Sequence, residues 1–470
     1  MRILLPTGAA TEDLVKKAAA DLDARVAVTG EIASFLTPHR LRELLKDEQF
    51  DLVLVPGMCT ASFEQVERES GVPVCRGPRH AADLPLILPI LGSIHLSRTI
   101  PADDLLLATR AEEAMRRAKQ SESEAQGDFS IRGIKIGGNS RMKVLAEIMD
   151  AHRHESIREG VETCFSAGAD IVDLGFGFDA DPADVVRVFS ELGGIDRPLA
   201  VDTQDPALIR AALVRADIVL SLQEQNIPII GKEVARAGAA AVVVPGKSTL
   251  RENIARAKRA GIRCIIADPL LRPAGSGLVA SLKKFRKSGY PLFFGAGNVV
   301  ELLDADSPGA NALLAAMAME LGAAVIFTSE HSDKTRGSVR EMRRATEMMV
   351  LARDRPYPKD LGIDLLILKE KRRRREPPLD YDTIVTAKKM PDDLEYDPKG
   401  NFRIGIEGEN IVAVIHRKAV SGKRWQDVLH TILEKGDASL LDHAGYLGRE
   451  LYKAELSIRF GRSFEQDGEF

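Results

Sequence analysis

Cysteine is scarce in this chain: there are 4 among 470 residues, at Cys59, Cys75, Cys164 and Cys264. None forms a CxxC or Cys/His spacing, which excludes a disulfide framework and a cysteine-built zinc site and leads us to expect a reducing, cytoplasmic setting. Charge of one sign is missing too. A net charge of -4 and a pI near 6.2 give no electrostatic case for nucleic acid. No apolar run reaches the ~18 residues of a membrane span; LPLILPILG (84–92) is too short and holds prolines. Met1-Arg2 runs straight into ILLP and a glycine, which reads as a first strand and not as a signal peptide. PTGAA (6–10) follows that strand without a GxGxxG or a Walker lysine, so residues 1–95 read as a structural or dimerising α/β domain rather than a nucleotide site. A DxHxxG cobalamin motif is also absent.

What is present is alternation. Hydrophobic residues make up 44% and charged residues 29%, the balance of a soluble globular protein, and the length allows two or three domains. Apolar runs recur at 131–138, 169–175, 198–203, 216–222, 240–246, 263–269, 291–298 and 323–330, separated by amphipathic segments of helical length. Strands buried on both faces read this way, and parallel strands need crossover helices, so eight units predict a (β/α)8 TIM barrel. The expected fold is α/β: an N-terminal α/β domain with a connecting helix (1–125), the barrel (126–357), a linker (358–396) and a small C-terminal α+β domain (397–470). The basic run KEKRRRREPP (369–378) reads as part of the linker.

Nearly every barrel run ends on polar residues: Asn139, Asp173, Asp202, Ser221, Lys247, Asp268, Asn298 and Glu330. In this fold the C-terminal strand ends form the active-site face, although any single Asp, Asn or Ser there could equally cap a helix. A carboxylate accepts two parallel N–H bonds from a guanidine-like edge, so Asp202 and Asp268 suit an amino-pyrimidinone heterocycle such as a pterin; a metal clamp is the other generic reading. His443, alone on a C-terminal helix, is either structural or a ligand.

The motifs carry a resemblance. GADIVDLG (168–175), LAVDT (199–203) and IIADP (265–269) resemble the second-, third- and sixth-strand signatures of the pterin-binding barrel shared by dihydropteroate synthases and methyltetrahydrofolate:corrinoid methyltransferases. The resemblance implies that Asp202 and Asp268 hold a pterin, with Asp173, Ser221 and Asn298 beside them. Three departures stand out: IGGNSRMKV where the synthases have an N-x-T-x-D-S-F loop, GAGNVVE in place of Ser-Arg-Lys, and TSEHSDKTRG in place of Arg-x-His. Asn298 is similar to the strand-seven Asn of the methyltransferases.

HAGYLGRELYKAE (443–455) extends the resemblance over nearly the whole chain, to dihydropteroate synthase-like proteins of tetrahydromethanopterin-dependent one-carbon metabolism. It implies a transferase that joins hydroxymethyl-dihydropterin diphosphate to an arylamine bearing ribose phosphate. Asp202, Asp268 and Lys334 would be catalytic. Arg141, Lys143, Lys247, Lys334 and Arg336 would hold the phosphorylated arylamine, and Mg²⁺ would sit near Asn139 in a homodimer. Methyl transfer from a methyl-tetrahydropterin and a non-catalytic pterin-binding role are the alternatives.

Overall fold

The computed structural model describes residues 1–79, 81–285, 289–353, 358–359, 361–368, 382–389 and 396–468. The chain divides into two compact units, Met1–Asp380 and Tyr381–Phe470. The basic run 369–378 lies outside the described residues.

The first unit begins with four parallel strands: β1 (Ile3–Thr7), β2 (Ala24–Val28), β3 (Leu52–Val55) and β4 (Val74–Arg76), in the order β2-β1-β3-β4. Leu4, Val53 and Val55 pack on one face of this sheet, and Ile3, Leu5, Leu52 and Leu54 on the other. Burial on both faces is why β1 and β3 are uninterrupted apolar runs. The short β4 was not distinguished in the sequence. Arg79 ion-pairs with Asp103 and Asp104 at the head of the helix Ala102–Glu124, which packs against the helix Ser338–Ala352.

Residues 129–136 form an antiparallel pair, β5 (Phe129–Ile131) and β6 (Ile134–Ile136). Arg132 (φ 43°) and Gly133 (φ 79°) make its two-residue turn. The barrel follows: β7 (Lys143–Ile148), β8 (Ile171–Gly175), β9 (Leu199–Asp202), β10 (Ile218–Leu222), β11 (Ala240–Val243), β12 (Ile265–Ala267), β13 (Leu292–Phe294) and β14 (Ala323–Ser329). They close into a parallel barrel through the β14–β7 pairing. The predicted (β/α)8 architecture is present, but its first strand is corrected. The run at 131–138 is the β5–β6 hairpin, and the true first strand is KVLAEI. Lys143 and Glu147 made that strand look like a polar loop.

In the second unit β15 (Arg403–Glu407), β16 (Asn410–Ile415) and β17 (Lys418–Gly422) form an antiparallel meander. The expected hairpin thus gains a third strand. The helices Trp425–Glu434 and Leu441–Phe460 bury Val428, Ile432, Leu447 and Leu451 with Ile404, Ile411 and Ala413.

Candidate functional site at the barrel mouth

Side chains along a strand alternate with period two. Leu145, Ile171, Ala200 and Ile266 point into the barrel and pack together. Two residues further along the same strands, the interior-facing positions are Glu147, Asp173, Asp202 and Asp268. The step from core to mouth is therefore a step from aliphatic to carboxylate on four strands at once. Pairing in register places Glu147 beside Asp173, and Gly175 beside Asp202. Oxygens of Glu147, Asp173 and Asp202 all lie within 4.8 Å of one another.

Burial without a positive partner governs the electrostatics here. Among the described residues none of these four carboxylates forms an ion pair. Both oxygens of Asp173 are buried with no hydrogen-bond partner. Burial, reinforced by Asp202 and Glu147, pushes the Asp173 carboxyl well above its usual range. Burial raises Asp202 as well. Glu147 is pushed up to about 7 by burial and then by Asp202, Glu301 and Asp150. Asp268, whose Oδ1 accepts from the Leu270 amide at 2.8 Å, is also raised to about 7, chiefly by burial.

Amides and hydroxyls surround this acidic layer. Gln223 donates to Gln204 at 2.9 Å and to Gln225 at 3.2 Å, while Asn226 reaches the carbonyls of Gln204 and Ser221. Glu301 accepts from Ser329, Ser332, Thr335 and the His331 amide; burial would raise its carboxyl, but these donors hold it below the usual range. The loops after β7 and β8 interlock, with His152 stacked on Phe176 and Arg153 paired to Asp179. Phe178 is fully exposed at the loop tip.

The structure thus brings Asp173, Asp202 and Asp268 together. Ser221 is the penultimate residue of β10, next to the Leu220 that pairs with Asp202, and Asn298, on the short helix Gly297–Val300, folds back toward Gly295. Lys247 and Arg336 are exposed on mouth loops. Lys334 is tied to the Leu303 carbonyl and Asp304, both at 3.0 Å. Glu330 accepts from the Val339 amide and so serves the start of the helix Ser338–Ala352.

Three predicted residues are corrected, because they precede β7 or begin it and so lie at the opposite end of the barrel. Asn139 accepts from the Gln126 amide at 2.6 Å and is not at a metal position. Arg141 is buried against Asp170 at 2.6 Å. Lys143 is buried in the barrel floor, held by Glu122, Ser140 and the Arg141 carbonyl. The misread first strand displaced all three, and it also hid Glu147. The alternation V-L-A-E-I was the signal that would have found that glutamate.

Geometry defines the class of the fold: a closed, parallel, eight-stranded (β/α)8 barrel with a layer of carboxylates at its mouth. The family model described as PterinBD-DUF4346 matches residues 396–467. An uncharacterized protein of Methanocaldococcus jannaschii is 35% identical over an alignment of 519 positions, covering 99% of this chain and 98% of the relative. The chain belongs to the same family as that archaeal protein. Among solved structures, it is similar to Yersinia pestis dihydropteroate synthase with a pterine-sulfa conjugate (22% identity, TM-score 0.38, 48% of this chain and 98% of that one). It is also similar to the Thermus thermophilus dihydropteroate synthase in complex with 6HMPPP (22% identity, TM-score 0.36, 44% of this chain and 92% of that one).

Proposed function

We propose that the barrel mouth binds a pterin and that the protein is a transferase joining hydroxymethyl-dihydropterin diphosphate to an arylamine. The observation that carries this reading is the placement of Asp202 and Asp268. They come from separate strands onto the interior register one step above the core, and neither carries a cationic partner. Such carboxylates are acceptors for the amino and ring N–H groups of a pterin edge.

Mg²⁺ fits the donor set. Three carboxylate oxygens converge, and those of Asp173 have nothing else to bind, as a hard divalent ion requires. Glu147, Asp173 and Asp202 would hold it, and it would supply the positive charge that this carboxylate layer lacks. The residues orient the pterin methylene toward the amine. A C–N bond forms, the C–O bond breaks with its electron pair leaving on diphosphate, and the amine proton passes to solvent. An arylamine is neutral and nucleophilic at pH 7, so alignment suffices.

Of the cations expected to hold a phosphate on the arylamine, Arg141 and Lys143 are at the wrong end and Lys334 is engaged, which leaves Lys247 and Arg336, exposed on mouth loops, as its support. The tetrahydromethanopterin pathway and a homodimer rest on the sequence resemblance, and a cytoplasmic setting on the scarce, scattered cysteines. No helix among the described residues is long and apolar enough to cross a membrane.

The test is calorimetric titration with hydroxymethyl-dihydropterin diphosphate and Mg²⁺, alongside pyrophosphate release on adding arylamine. Asp202→Asn and Asp268→Asn should each weaken pterin binding at least tenfold; unchanged affinity in both removes the reading. Asn298, at the end of the seventh barrel strand, favours a second reading, methyl transfer from a methyl-tetrahydropterin. Methyl release from that donor, with no pyrophosphate release from the other, would establish it.

A further inference from the structure

The N-terminal sheet parts between its two central strands. Along β1, Ile3 and Thr7 bond to the β2 side, through the Asp23 carbonyl and the Thr29 amide. Arg2, of the opposite parity, bonds to the Asp51 amide on the β3 side. Pro6 shares that parity and has no N–H to give to β3. The β1–β3 register accordingly stops at Leu4 and Val53, while β1 stays paired with β2 to Thr7 and β3 with β4 to Arg76. In the order β2-β1-β3-β4 this gap is also where the chain reverses its direction across the sheet, and open parallel sheets take ligands at the carboxyl ends of the strands at such a point. A cavity of about 70 Å³ lies there, lined by the ends of β1 and β3, by Thr11 and by Arg79. We propose that this crevice binds a small, neutral, single-ring molecule carrying one hydrogen-bond donor. The site is separate from the barrel mouth and independent of the transferase reading.

Size, charge and hydroxyl chemistry set the ligand class. One ordered water needs about 10–15 Å³, so the cavity takes one small ring and not a nucleotide or a pterin. Its lining holds no carboxylate to attract a cation. Its one cation, Arg79, is already paired with Asp103 and Asp104, and Glu12 and Asp13 open the helix that follows Thr11, which disfavours an anion. Leu5, Val15, Leu54 and Leu84 supply apolar walls for the ring. The buried Thr7 hydroxyl lies 2.8 Å from that of Thr11, which donates in turn to the Gly8 carbonyl. Thr7 therefore gives its proton to Thr11, and its oxygen is left as an acceptor for a hydroxyl or N–H on the ligand.

The experiment titrates the full-length protein with four one-ring probes, followed by ligand-observed NMR: phenol, toluene, benzoate and benzylammonium. Phenol should bind at least fivefold more tightly than toluene, which has its shape without the donor, and at least tenfold more tightly than either charged probe. Thr7→Val keeps the side-chain shape and should abolish the preference for phenol over toluene. Ala81→Phe fills the cavity from a half-buried lining position and should remove phenol binding altogether. No phenol binding to the wild type overturns the proposal, as does a charged probe that binds as tightly as phenol. Phenol binding unchanged in Ala81→Phe places the probe elsewhere on the protein and overturns it too. So does a phenol preference retained in folded Thr7→Val; if that variant fails to fold, Ala81→Phe decides alone.

Discussion

Glu147 and Asp173 face each other in register across β7 and β8, so two carboxylates occupy one layer of the barrel interior. Asp202, one strand further round, brings a third oxygen within 4.8 Å. Three like charges this close in a buried layer are stable only if protons or a cation offset them.

The first expectation is therefore a divalent cation. Mn²⁺ or Mg²⁺ should bind with one-to-one stoichiometry, and Asp173→Asn and Glu147→Gln should each lower the affinity at least tenfold. Because bound carboxylates must be deprotonated, affinity should fall as the pH drops below about 7, where Glu147 takes up its proton. Calorimetry with Mn²⁺ at pH 6 and 8 reads both effects. Equal affinity in wild type and Asp173→Asn would exclude the triad as the site.

The second expectation concerns stability without metal. Asp268 sits at about 7 against an ordinary value of 3.8, raised chiefly by burial. A carboxyl raised in the folded state binds its proton more tightly there than in the unfolded chain. Its stabilising contribution is full below about pH 4 and is lost as the pH rises through about 7. From pH 5 to 8, in chelator, the Tm of the wild type should fall more steeply than that of Asp268→Asn, by several degrees over the range. Parallel curves would show that Asp268 titrates normally.

Both expectations bear on how much of the site was legible in advance. Asp173, Asp202 and Asp268 are readable because each ends an uninterrupted apolar run, and a buried parallel strand is that run. Glu147 was not, because β7 carries Lys143 at the barrel floor and a glutamate at the mouth. Between them only Val144, Leu145 and Ala146 remain, too short a run to stand out. The neighbouring IRGIKIGG was the more hydrophobic segment, and only its Arg-Gly turn betrays a hairpin. Charge on Arg141 and Lys143 was visible in the sequence, but the end of the barrel it belonged to depended on that one strand.

The third expectation is that those two cations are structural. Asp170 accepts from Arg141 at 2.6 Å, from Arg343 at 3.1 Å and from the Val144 amide at 2.8 Å. Burial would raise its carboxyl, but the two guanidiniums hold it below the usual range. Asp170→Ala strands Arg141 in the interior and should cost about 3–5 kcal/mol in denaturant unfolding. Pterin affinity of the folded fraction should stay within twofold of wild type, since the mouth is at the other end of the strands. A stability change below about 1 kcal/mol would mean the network is weaker than its burial implies.

The last expectation assigns His443 a structural role in the second unit. Its Nδ1–H donates to Asp397 at 2.9 Å, and its ring lies against Phe402 and Tyr446. The same carboxylate accepts from the amides of Lys399, Ser439 and Leu440 and from the Ser439 hydroxyl. Asp397 thereby fastens the chain entering the domain to the start of the helix Leu441–Phe460. Burial would raise this carboxyl, but the donors from Ser439, Lys399 and His443 outweigh it and hold it far below its usual range. A depressed carboxyl stabilises the fold above the unfolded-state value, and that contribution is lost as the pH falls. His443→Ala removes one of five donors, whereas Asp397→Ala orphans all of them. Hydrogen exchange at the Ser439 and Leu440 amides should therefore accelerate modestly in the first variant and by tenfold or more in the second. Pterin binding should match wild type in His443→Ala. A hundredfold loss of transferase turnover in that variant, with Ser439 and Leu440 still protected, would instead place His443 in the chemistry.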